Sequence, residues 1–195
     1  MKCRLIRISI ALIVIVVGFP IQAHAKGNAN FVNIVQWKGS ATPVELPEGV
    51  GGDVVLAGTP CYEVEMVNPA TGWRIGTGYD CIANPGSLLD ANEGTVTTYY
   101  IFSFLGRGSI ISHNRVVVRS ASDDDTYNPV PVGHGPVNSD FTHILGSFPT
   151  DNTIEGGTRR YKNASGRVRV SGGVSLTNFP TTIEFDDLFV IDANR

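Results

Sequence analysis

From residue 95 onward, apolar side chains recur at every second position. Neighbouring residues of an extended strand point to opposite sides, so Val96, Thr98, Tyr100, Phe102 and Phe104 share one face. A Gly106-Arg107-Gly108 turn leads into a second such strand, whose matching face carries Ile110, Ser112, Asn114, Val116 and Val118. Near the C-terminus Ile183, Phe185, Asp187, Phe189 and Ile191 alternate in the same way, and Phe141, His143 and Leu145 form a shorter row. Segments rich in β-branched and aromatic residues, bounded by Gly, Pro, Asn and Asp, predict eight strands over 31–37, 62–67, 73–82, 95–105, 109–119, 140–148, 166–177 and 181–191. Longer connections are expected at 42–60, with a short strand at 53–57 at most, and at 120–139. Gly156-Gly157-Thr158 predicts a turn, and Gly172-Gly173 a bend or bulge. No helix of ordinary length is predicted beyond the first 25 residues, which argues against a parallel α/β sheet. The expectation is an all-β fold, an eight-stranded antiparallel β-barrel.

Residues 1–25 have the layout of a secretory signal: Lys2, Arg4 and Arg7, then the short apolar run 8–19, then Ala23-His24-Ala25. The run is shorter than the roughly 20 residues a membrane span needs. The expected protein is secreted or periplasmic, with a mature start near Lys26. No span is predicted in the mature chain, 26–195, which reads as one domain: an N-terminal strand and loop over 26–60, then the barrel over 61–195. Two cysteines remain. A hairpin turning on Asn68-Pro69-Ala70-Thr71-Gly72 and centred near residue 71 places Cys61 opposite Cys81, and an oxidising compartment would keep that pair as a disulfide.

Composition narrows the function. The formal net charge is −3, and removal of the cationic leader makes the chain more acidic still. That argues against a nucleic-acid partner, which needs a basic face. A hydrophobic fraction of 42% is too high for a disordered chain. Asp123-Asp124-Asp125 lacks the alternating spacing of a calcium loop, and His113 and His134 stand apart from each other and from any acid pair, so no metal site is expected. Arg159-Arg160-x-Lys162 is a short basic cluster, and Arg167 and Arg169 share a strand face with Ser165 and Ser171, consistent with solvent exposure. Asn163-Ala164-Ser165 is a glycosylation sequon, relevant in a eukaryotic secretory path alone.

The stretch Ile154-Glu155-Gly156-Gly157-Thr158-Arg159-Arg160-Tyr161-Lys162-Asn163-Ala164-Ser165-Gly166 resembles the Gly-Gly-Thr, aromatic, Ala-x-Gly signature of the allene oxide cyclase/dirigent barrel superfamily. Gly108-Ser109 is similar to the strand start that precedes it there, and the resemblance extends over about residues 95–190. That family usually carries glycine where this chain has Arg159. The resemblance implies an antiparallel barrel with an apolar cavity and cofactor-free handling of a small hydrophobic molecule. Fold does not transmit function, and none of the family's catalytic residues is matched position by position. The signature also has structural work: glycines for tight backbone, and Tyr161 as a ring lying over a barrel end.

If the four apolar faces line the lumen, they carry Asp187 and His143 into it as candidate catalytic groups, with Tyr100, Asn114, Phe102 and Phe185 as candidate ligand contacts. Burial would raise the carboxyl pKa and lower that of the imidazole. A neutral Asp donates a proton, a neutral His accepts one, and Tyr100 and Asn114 can hold an oxygen that gains negative charge. The competing reading gives each group a backbone hydrogen bond or a place at a barrel mouth. A bulge would also shift the parity of a face. The sequence therefore supports a cofactor-free cyclase or isomerase, or a dirigent-type stereochemical guide, for a small hydrophobic ligand; the alternative is a secreted structural or interaction module with a filled barrel. Exposed strand faces would allow a homo-oligomer.

Overall fold

The computed structural model describes residues 30–51, 54–56, 58–84, 93–120, 141–147, 152–175 and 178–194, with side chains for all of these but 93–94, 118–120 and 141–147. The expected leader, Asp123-Asp124-Asp125 and His134 lie outside the described residues.

Among the described residues nine strands follow one another: β1 Phe31–Val44, β2 Cys61–Val67, β3 Arg74–Asn84, β4 Glu93–Phe104, β5 Gly108–Ser120, β6 Phe141–Ser147, β7 Thr153–Gly157, β8 Ser165–Ser175 and β9 Ile183–Asn194. Every pairing is antiparallel, and β9 returns to pair along β1 from Phe31↔Ala193 to Ala41↔Ile183, which closes the ring. β6 and β7 share one place between β5 and β8: β6 lies beside the Val116–Ser120 half of β5, β7 beside the Ile110–His113 half. The chain thus forms the expected closed all-β ring, with one of its eight places split between two short strands.

The β2–β3 hairpin shows how local chemistry sets this register. The Asn68 side chain accepts hydrogen bonds from the amides of Ala70 and Thr71, Gly72 takes a φ of +69°, and the Gly72 amide donates to the Asn68 carbonyl. The strands that leave this turn pair Met66 with Gly76, Tyr62 with Asp80 and Cys61 with Cys81, and the two cysteines form the disulfide.

Three local expectations need correction. Residues 153–157 form β7 where a turn at Gly156-Gly157 was expected, because a glycine lets two backbones come close: a Cβ on Gly157 would collide with the carbonyl of Ser109. Val54–Leu56 is a turn and bend, not strand. Gly172-Gly173 carries no bulge, since β8 pairs with β9 in unbroken register from Ser165 to Ser175. In addition, β1 runs on to Val44, its register shifting between Lys38 and Thr42 around Gly39, which has a φ of +101°.

The lumen is the main core. Trp37 lies inside it with ring centroids 5.3 Å from Tyr100, 5.3 Å from Phe102, 5.9 Å from Phe185 and 4.4 Å from Phe189. Tyr161, on the 3-10 turn Arg159–Tyr161, is buried against Phe31 and Phe104 and covers the barrel end where β8 begins. A second core lies on the outer face of β2 to β5. There Cys61, Tyr79, Cys81, Ile101 and Ile111 are covered by Val44, Leu46, Val50, Val54 and Val55 of the β1–β2 connection. That wrap covers part of the outer face of this half of the ring without changing which face lines the lumen.

Candidate functional site

The strict alternation of β9 puts Ile183, Phe185, Asp187, Phe189 and Ile191 on the buried side. Asp187 is 1% exposed and sits in register between Trp37 of β1 and Gly172 of β8. Its carboxyl lies over Gly172, where any Cβ would meet Asp187 Oδ1 and the Asp186 carbonyl. Among the described residues, no group hydrogen-bonds either carboxyl oxygen.

Across the lumen, Asp80 of β3 pairs with Tyr100 of β4, and Tyr100 pairs with Ser112 of β5; one step along, Thr98 pairs with Asn114. All five are buried. Asn114 Nδ2 donates to the Ser112 carbonyl at 2.9 Å and to Ser112 Oγ at 3.0 Å. A carbonyl can only accept, so this contact fixes the amide orientation and leaves Asn114 Oδ1, which has no protein partner, as a free acceptor. Thr98 Oγ1 donates to the Cys81 carbonyl at 3.0 Å and also contacts Asp80 Oδ1. A hydroxyl has a single hydrogen, so Thr98 serves the Cys81 carbonyl or Asp80 Oδ1 and not both at once.

Burial pushes the Asp80 carboxyl up to about 7, against the lowering effect of Thr98. Burial, and then the nearby charges of Asp80 and Asp186, hold Asp187 well above the ordinary carboxyl range. Burial together with Asp80 and Asp187 raises Tyr100 well above a normal phenol. Two carboxyls and a phenol thus face one low-dielectric space, and each disfavours the ionised form of the others.

The structure brings Asp187, Tyr100, Asn114, Phe102 and Phe185 together in one lumen, as their strand faces predicted. Asn114 presents an acceptor, not the donor that an oxyanion would need. His143 is on β6, with its backbone in register with Gly173 and Arg119; its side chain lies outside the described residues. Sequence reasoning missed Asp80, Thr98, Ser112 and Trp37. The hairpin rule that paired Cys61 with Cys81 also pairs Tyr62 with Asp80, and would have found that carboxyl had the rest of its face been followed.

Elsewhere, His113 stacks on Tyr99 at 4.8 Å and lies 3.6 Å from Glu155, half exposed. Arg167 and Arg169 are exposed. Among the described residues there is no group of three metal-capable side chains, and no helix long and apolar enough to cross a membrane. No family model and no curated protein matches the chain.

Proposed function

We propose that this chain is an exported barrel that holds a small, largely apolar molecule in its lumen and acts on it through the Asp187, Asp80 and Tyr100 set, as a cofactor-free isomerase or cyclase or as a stereochemical guide. The observation that carries the reading is Asp187, fully buried with both carboxyl oxygens unpartnered among the described residues. A carboxyl kept for folding alone is normally satisfied, because an unpaired buried polar group costs stability. Here glycine at 172 makes room for it. In water-excluding surroundings a neutral carboxyl is a competent proton donor, and its conjugate base can take the proton back at another carbon or oxygen of the same molecule. No covalent nucleophile is required.

Two further features support the family resemblance behind this reading. Arg159, at the position where the family carries glycine, has a φ of +49°, a backbone conformation that glycine adopts most easily. The Cys61–Cys81 disulfide suits the oxidising compartment that the leader-like N-terminus points to. The second reading, a filled barrel serving as a scaffold, is favoured by Trp37, whose four aromatic contacts occupy the middle of the tube.

The test is incubation of the protein in heavy water with an apolar extract of its host, followed by mass analysis of the extract. The wild type should convert or deuterate a component that Asp187→Asn leaves untouched. Equal conversion by both proteins removes Asp187 from the chemistry. An extract unchanged by the wild type, with nothing retained by the protein, favours the scaffold.

A further inference from the structure

The unpartnered polar atoms inside the barrel are unequal in kind. Among the described residues, Asp187 Oδ1, Asp187 Oδ2 and Asn114 Oδ1 make three unpartnered acceptors once Asp187 ionises, against one unpartnered donor, Trp37 Nε1. Among the described residues, the buried polar and charged side chains include two carboxylates, Asp80 and Asp187, and no Lys, Arg or His. The remaining wall is aromatic: Tyr100, Phe102, Phe185 and Phe189 surround Trp37. Ring faces carry negative potential and attract cations, most strongly when water is excluded. Surplus acceptors, unbalanced acidic groups and π faces are together complementary to a cation that brings its own N–H donors.

Resting on the lumenal reading above, we infer that the molecule held in the barrel is a small organic amine, bound as its ammonium with N–H donors on Asp187 and Asn114 and its carbon skeleton against the aromatic wall. A bare inorganic cation would use the acceptors and leave the rings without a role. A neutral alcohol or ketone would leave Asp187 protonated and release no proton on binding, which separates it from an amine. An anion would be repelled.

The proton count follows. Without ligand, burial favours the protonated form of Asp187; among the described residues, Asp80 from β3, Tyr100 from β4, Tyr62 from β2 and its own neighbour Asp186 are the titratable groups around the pair. When an ammonium binds, the Asp187 O–H bond breaks, its electron pair stays on the carboxylate, and the proton passes to the buffer. About one proton should be released per ligand bound. Affinity should rise with pH while Asp187 still carries its proton, and fall once the amine itself is neutral.

The experiment is calorimetry on the mature chain with methylamine, phenethylamine and tryptamine, beside 2-phenylethanol, 3-phenylpropionate, and potassium or calcium chloride alone, in buffers of different ionisation enthalpy. The inference expects at least one amine to bind with proton release, the alcohol and carboxylate to bind far more weakly, and Asp187→Asn to lower amine affinity by about tenfold to a hundredfold. Asn114→Leu, which removes the second acceptor, should weaken the amine and not the alcohol. If 2-phenylethanol binds as well as the amines, the lumen still takes a ligand and the cationic assignment is wrong. If the salts alone bind in an Asp187-dependent way, the occupant is an inorganic ion and the amine is overturned. If none of the organic probes binds, the amine inference fails; should the host extract then also leave no component retained or altered, the lumenal reading fails with it.

Discussion

Replacing Asp187 by Asn tests the buried acid directly, because the two side chains have nearly the same shape and differ in the ability to ionise. A carboxyl whose folded pKa is raised binds more protons in the folded chain than in the unfolded one. Its favourable contribution is complete below the unfolded value and is lost as pH rises through the folded value. For Asp80, a rise from the ordinary 3.8 to about 7 corresponds to about 4 kcal/mol given up between pH 4 and pH 8. Asp187 is shifted in the same direction by burial and by Asp80. The two are coupled, so their losses are not additive. Urea unfolding of wild type, Asp187→Asn and Asp80→Asn, with the disulfide intact, should be followed by tryptophan fluorescence from pH 4 to pH 8. Relative to wild type, Asp80→Asn should gain about 4 kcal/mol at pH 8 compared with its own difference at pH 4, and Asp187→Asn should gain in the same direction. Surface groups common to all three proteins cancel in that comparison. A pH-independent difference, or one that moves against the Asn variants as pH rises, would refute the buried-acid reasoning.

Further consequences concern the frame that holds the site. Gly172→Ala would push a methyl group into the Asp186 carbonyl and Asp187, and should cost at least about 2 kcal/mol in the same unfolding assay even when Asp187 is replaced as well, because backbone atoms remain in the way. Replacing Cys61 and Cys81 together by Ser opens a loop spanning 20 positions and should lower stability by about 3 kcal/mol, with a matching loss when the wild type is reduced. Arg159→Gly relieves a left-handed residue in the turn before β8 and should raise the unfolding free energy by up to about 1 kcal/mol after glycine's own entropy cost, read in the same urea assay.

Much of this architecture follows from period-two patterning. The faces of β4, β5 and β9 are buried as their alternation indicates, and the turn-centred register of the β2–β3 hairpin carries Cys61 onto Cys81. What stayed hidden depends on contacts between distant strands. Asp80 shares its face with Gly76 and Gly78, which do not read as apolar positions. Those glycines exist because Met66 and the Trp37 indole occupy the space where their side chains would be, a fact of tertiary packing. The same holds for β7 and for Gly172: glycine signals a turn locally, whereas here it allows a neighbouring backbone or the Asp187 carboxyl to come close. The aromatic filling around Trp37 was equally illegible, because no single strand shows how rings from β1, β4 and β9 meet.

Whether the lumen shelters a guest is decided most directly by native mass spectrometry of the protein purified from its own host, beside Asp187→Asn from the same source. The account predicts a mature chain carrying one small molecule, released on denaturation and absent from the variant. A wild-type protein whose native mass equals that of its polypeptide alone, and which stays so after exposure to the host's apolar extract, would contradict it.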